Sequence, residues 1–146
     1  MILQIKKILV PYDATPSSEK IINNLRPFLE KHQCKMVLLT CIRDRASFGF
    51  FKSKSDKKEM EKEKMKAEKY HEDVAKKVEK LGVSTISKIV KSDLESKTIV
   101  DYAKKEDVDL IIMSKSKLRT YAERVYYNST VEAVFKKTSI PFLYVP

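Results

Sequence analysis

A chain of 146 residues has room for one domain, expected over residues 1–146, with a core that needs neither metal nor disulfide. Hydrophobic residues make up 42% and charged residues 34%, which excludes a disordered chain, and the net charge of +10 brings anionic partners into consideration. No apolar run approaches the ~20 residues that cross a bilayer, and the start reaches Lys6, Lys7 and Pro11 without a signal-peptide core, so the expected location is cytoplasmic.

Residues 5–10 read Ile-Lys-Lys-Ile-Leu-Val, a first strand ended by Pro11, which cannot donate to a central ladder. Thr15 as N-cap, Pro16 at the first helical position and Ser17, Ser18 and Glu19 in the first turn then open a helix. Ile21, Ile22, Leu25, Phe28 and Leu29 give it one buried face, and Pro27 predicts a kink. Residues 35–42 are continuously apolar, as a parallel strand covered on both faces should be. A loop over 43–55 carries Phe48, Phe50 and Phe51, whose rings call for an apolar partner.

A Lys/Glu-rich helix is predicted over 56–81, with Met60, Ala67, His71, Val74, Val78 and Leu81 on one stripe. Glu72 with Lys76 and Asp73 with Lys77 support its outer faces, and Gly82 is its C-cap. Its first turns, 57–66, are poor in apolar residues and read as projecting from the body or serving a partner. His71 lies on the stripe and reads as a packed structural histidine. Residues 83–90 give a third strand, 94–106 a helix capped by Asp93 with Ile99, Val100 and Ala103 inward, and 107–113 a fourth strand. A basic, tyrosine-bearing loop over 115–128 leads to a helix over 129–137, with Val131, Val134 and Phe135 inward, and a last strand over 141–145.

Strands and amphipathic helices thus alternate, which implies an α/β domain with an open parallel sheet and helices on both faces. Ligands of such sheets sit outside the carboxyl ends of the strands where the strand order reverses. That rule singles out Asp13, residues 41–44, Ser92 and Ser114. Cys34, Cys41, His32 and His71 form no ligand cluster, so no metal is expected. Ser17, Ser18 and Ser129 have no histidine near them in sequence, so hydrolysis is not the favoured reading.

Five ordered segments carry a family likeness: Ile8-Leu9-Val10-Pro11-Tyr12-Asp13-Ala14-Thr15 with Ser17-Ser18; Leu38-Leu39-Thr40-Cys41-Ile42; Asp109-Leu110-Ile111-Ile112-Met113; Asn128-Ser129-Thr130-Val131; and Pro141-Phe142-Leu143-Tyr144-Val145-Pro146. Together the chain resembles the universal stress protein family from end to end. The resemblance implies a five-stranded sheet of order 3-2-1-4-5, Rossmann-like and similar to the adenine nucleotide alpha hydrolases. It also implies a homodimer through the last strand, 141–145, and an adenosine site at Asp13 and Cys41. Phosphate is held in this family by two glycines three apart and then, after nine residues, a glycine followed by serine or threonine. Here those positions read Ser114, Lys117 and Asn128-Ser129, with ten residues between Lys117 and Asn128.

Glycine serves phosphate because no Cβ blocks the approach to backbone N–H groups. Asn tolerates the left-handed region, and Ser129 at a helix N-terminus would still favour an anion. Lys115, Lys117, Arg119 and Arg124 offer side-chain charge in place of backbone contacts. Three readings follow. The first is a stress-response regulator binding ATP or AMP through Asp13, Cys41, Ser114, Lys117, Asn128 and Ser129. The second is a dimeric interaction module without nucleotide, which the missing glycines and the long charged helix favour. The third, ranked last, is nucleic-acid binding through the basic loop 115–124 with Tyr121, Tyr126 and Tyr127.

Overall fold

The computed structural model describes residues 4–11, 19–43, 54–114 and 120–146. Strands β1 (Lys7–Pro11), β2 (Lys35–Arg43), β3 (Ser84–Ser92), β4 (Leu110–Ser114) and β5 (Phe142–Val145) alternate with helical segments. These are α1 (Glu19–Asn24), α2 (Arg26–His32), α3 (Lys54–Glu79), α4 (Glu95–Lys105) and α5 (Tyr121–Lys137). Every strand pair is parallel, and the order across the sheet is β3-β2-β1-β4-β5, as the family likeness implied.

Side chains alternate across a strand, so each central strand must feed two layers, which is why these runs are apolar at every position. Ile8, Val10, Met36, Leu38 and Ile112 pack with Ile22, Leu29, Val74 and Val78 on the face covered by α1 to α3. Leu9, Val37, Leu39, Ile111 and Met113 pack with Ile99, Ala103, Val131 and Val134 on the face covered by α4 and α5. The chain builds outward from β1 to β3 over one face, then crosses to β4 and β5 over the other, which keeps all crossovers of one hand.

Helix ends are set by backbone geometry. Pro27, expected to kink one helix, divides it into two: Leu25 leaves helical geometry at φ −102°, ψ 9°, and Pro27 sits in the first turn of α2, where its missing N–H costs nothing. After α3, Gly82 takes φ +82°, and the N–H groups of Gly82 and Val83 bond the carbonyls of Glu79 and Val78. After α4, Asp107 does the same at φ 50°, with Asp107 and Val108 bonding Lys104 and Ala103.

That second turn corrects the expected start of the fourth strand at 107. Residues 107–109 are a connector, and the Asp109 carboxylate accepts the N–H groups of Lys6 and Lys7 at 2.8 and 3.0 Å, tying the β4 entry to that of β1. Asp93 is not the N-cap of α4. The boundary residue is Leu94, with no side-chain cap bond, and the Thr98 hydroxyl donates back to the Leu94 carbonyl at 3.2 Å. The last helix begins at Tyr121 rather than at 129, about two turns early. Nothing in 121–128 breaks a helix, Tyr127 is buried on its inner side, and the Thr130 hydroxyl donates to the Tyr126 carbonyl at 3.2 Å. Phe135, expected inward, is 62% exposed, because it faces the open edge beside β5 and stacks edge-on against Phe142.

Candidate functional site

The carboxyl ends of β1, β2, β3 and β4 fall at Pro11, Arg43, Ser92 and Ser114, on one edge of the sheet because all strands are parallel. Strand order reverses at β1, whose neighbours are β2 and β4, so this edge is where a ligand crevice belongs. Beside it lies a recess of about 200 Å³ lined by Cys41, Ser92, Asp93, Glu95 and Tyr126.

Each wall has a local cause. Cys41 and Ser92 are on the α4 side of β2 and β3, two residues beyond the inward Leu39 and Val90 respectively. Ser92 Oγ lies 2.5 Å from Thr98 Oγ1, which fixes the turn from β3 into α4. That turn sets Asp93 at the mouth and Glu95 in the first helical turn. Tyr126 reaches the recess only because α5 starts early and runs past it.

Burial, and secondarily the charge of Glu95, pushes the Cys41 thiol up to about 12. Cys41 is therefore a neutral thiol at physiological pH, a weak donor and an apolar surface rather than a nucleophile. Asp93 and Glu95 supply acceptors for hydroxyl or amine protons, and Tyr126 supplies a ring face and a hydroxyl. This is an arrangement for holding a polar ring system.

Ser114 is buried at the end of β4. Asn128 and Ser129 are exposed and lie inside α5 rather than at its start, so their N–H groups belong to the helical ladder and form no anion cradle. Asn128 lines a different groove, with Val131, Glu132, Phe135, Phe142 and Tyr144. Asp13 and Lys117 lie outside the described residues, as do the Thr15 cap and the Phe48, Phe50 and Phe51 cluster. Of the tyrosines considered for stacking on bases, Tyr121 and Tyr126 are exposed and Tyr127 is 4% exposed, which removes it. Asp93, Glu95 and Tyr126 were not among the residues the sequence assigned to this site. For Asp93 and Glu95 the available signal was their place just after the carboxyl end of β3, whereas Tyr126 had none until the early start of α5 was known.

His71 is buried on the opposite face, its Nε2 2.7 Å from Thr40 Oγ1 and its Nδ1 bonded to Ser87 Oγ. Burial lowers it to about 4, so it is neutral and structural. Among the described residues no group of three or more His, Cys, Asp or Glu could hold a metal ion, and no helix is long and apolar enough to cross a membrane.

Strand order 3-2-1-4-5, with helices on both faces and a recess at the carboxyl edge, defines a Rossmann-like α/β domain. The model of the Universal stress protein family matches residues 4–146, and the chain belongs to that family. Solved structures agree in fold. Universal stress protein UspA from Lactobacillus plantarum superposes with a TM-score of 0.80 at 18% identity, covering 98% of this chain and 99% of that one. A universal stress protein in complex with cAMP gives 0.66 at 14% identity over 97% of each chain. The universal stress protein from Archaeoglobus fulgidus in complex with dAMP gives 0.67 at 10% identity, covering 99% and 100%. No curated protein matches the chain by sequence.

Proposed function

We propose that this chain is a stress-response regulatory protein that binds an adenine nucleotide at the carboxyl edge of the sheet. The observation that carries the reading is the recess of Cys41, Ser92, Asp93, Glu95 and Tyr126 at the carboxyl ends of β2 and β3, on the same edge as the strand-order reversal at β1. Two family members of the same fold are complexes with cAMP and dAMP, which supports an adenine ligand over other anions. In this reading the recess takes the adenosine end and Ser114 the phosphate end, with Asp13 and Lys117 proposed as further ligand contacts on the family likeness alone. Asn128 and Ser129 no longer supply a helix N-terminus, so AMP, with fewer phosphates to hold, is the better ligand than ATP. A cytoplasmic location fits this ligand.

Calorimetric titration with AMP and ATP tests the reading. Saturable heat with AMP that weakens at least tenfold in Tyr126→Ala supports it. No heat and no melting shift with either nucleotide at millimolar concentration would sink it.

A second observation favours self-association. Among the described residues β5 is an edge strand paired with β4 alone, and the groove beside it exposes Phe135 and Tyr144, the latter at 42%. Unpaired strand edges with apolar flanks are pairing templates. We read this edge as the face of a homodimer, and light scattering on the wild type and on Tyr144→Lys decides it: a dimer that becomes monomeric supports the reading, and a wild-type monomer overturns it.

A further inference from the structure

In α3 the spacing of three and four that buries Val78, Val74, His71 and Ala67 continues through Lys64 and Met60 to Lys57. Two places on the sheet-facing stripe therefore carry lysine where an apolar side chain would seal the helix against the strands. The strands beneath present Ile42 on the same side as Thr40, and Ile89 and Lys91 on the same side as Ser87, since Thr40 and Ser87 both reach His71 of α3. The result is a groove of about 350 Å³, floored by Ile42, Met60 and Ile89, with Lys57, Lys64 and Lys91 around it and Glu61 as the single carboxylate among its described lining residues. Such a volume is at the small end of the range for small-molecule sites, roughly 300–1,000 Å³.

The three lysines are exposed, and none is paired with a carboxylate among the described residues. A lysine on an inward stripe lays its aliphatic stem along the apolar floor and keeps its ammonium at the water. Among its described lining residues the groove therefore combines a hydrocarbon trough with an excess of positive charge, three lysines against Glu61. It lies on the sheet face opposite Cys41 and Ser92, so it is separate from the recess described above.

We propose that this groove binds a free fatty acid of medium chain length, the alkyl chain over Ile42, Met60 and Ile89 and the carboxylate among Lys57, Lys64 and Lys91. The charge selects the class. A neutral apolar ligand gains nothing from three ammonium groups, a cationic amphiphile is repelled by them, and a sugar or nucleoside finds, among the described lining residues, only Glu61 as a carboxylate acceptor.

The test is calorimetric titration of the full chain with dodecanoate below its micelle concentration, beside dodecyltrimethylammonium, dodecyl maltoside and phosphatidylglycerol vesicles. Saturable one-to-one binding of dodecanoate is expected, at least tenfold tighter than the cationic and neutral amphiphiles and weakened by added salt. The combined Lys57→Gln, Lys64→Gln and Lys91→Gln variant, at exposed positions and checked for an unchanged melting profile, should lose roughly tenfold or more in affinity. Ile89→Glu, which puts a negative charge on the floor, should lose at least as much. Equal binding of all three amphiphiles, an unchanged affinity in the triple variant, or binding to vesicles alone would each overturn the proposal. So would dodecanoate binding that emerges only when Phe48, Phe50 and Phe51 are changed to serine, since the chain would then be filling the groove itself.

Discussion

The two helical layers cover one sheet by different means. Under α4 and α5 the central contacts are apolar, with Leu9, Val37, Leu39, Ile111 and Met113 against Ile99, Ala103, Val131 and Val134. Under α3 the sheet meets His71, held between Thr40 and Ser87. Burial of hydrocarbon is insensitive to pH, whereas a buried imidazole stabilises the fold only while it stays neutral. The apolar layer should set how stable the protein is, and the polar inlay should set where that stability fails in acid.

The sharpest way to break the comparison is to hollow the apolar layer. Ile99 is fully buried, and Ile99→Ala removes three methyl or methylene carbons from a site walled by other core residues. The expected loss is about 2–5 kcal/mol in urea denaturation. It should be the same at pH 5 and pH 8, since that cluster contains no carboxylate or histidine. A loss confined to low pH would mean that the two layers are not separate in this sense.

Acid probes the other layer. Burial lowers His71 from 6.5 to about 4, so the folded state disfavours its charged form. The stability tied to the neutral ring is complete above the unfolded value near 6.5 and is lost as pH falls from there through about 4, where the folded protein also takes up the proton. The loss should amount to about 2–3 kcal/mol. Urea midpoints measured from pH 8 to pH 4 should fall along this limb, and His71→Gln should flatten it while lowering stability at pH 8. A wild-type curve level across that range would remove the special role given to His71.

The same contrast explains what the sequence could and could not disclose. All five strand runs and the α3 stripe were legible because burial on two faces or one leaves a pattern of period two or three and four, and His71 was legible as part of that stripe. The start of α5 was not. Among the described side chains of 121–128 only Tyr127 is buried while Tyr121, Val125 and Tyr126 stay exposed, so periodicity was weak, and the motif-like Asn128-Ser129 drew the boundary to itself. The recess suffered accordingly: Cys41 and Ser92 follow from strand ends, but Tyr126 enters only once the helix is known to extend past them. Phe135 misled because an amphipathic count cannot tell a covered edge from an open one.

Helix ends sharpen the comparison on a finer scale. α3 in one layer and α4 in the other finish in the same double turn, yet one uses Gly82 at φ +82° and the other Asp107 at φ 50°. Gly82→Ala must hold a Cβ in the left-handed region, which costs about 1–2 kcal/mol, although the space is open enough, with the nearest atom, Gln33 Cγ, at 3.8 Å. The cost is therefore conformational and not steric contact, and a lowered urea midpoint without a change in its slope would show it.

At the α4 end the reverse substitution should help. Asp107→Gly relieves the same left-handed conformation, but aspartate tolerates it better than alanine does, and glycine adds freedom to the unfolded chain. The net gain should be small, about 0.5 kcal/mol, with the Asp109 clamp on Lys6 and Lys7 untouched. If Asp107→Gly instead destabilises, the Asp107 side chain contributes something beyond its backbone, and the two helix ends are alike only in their hydrogen bonds.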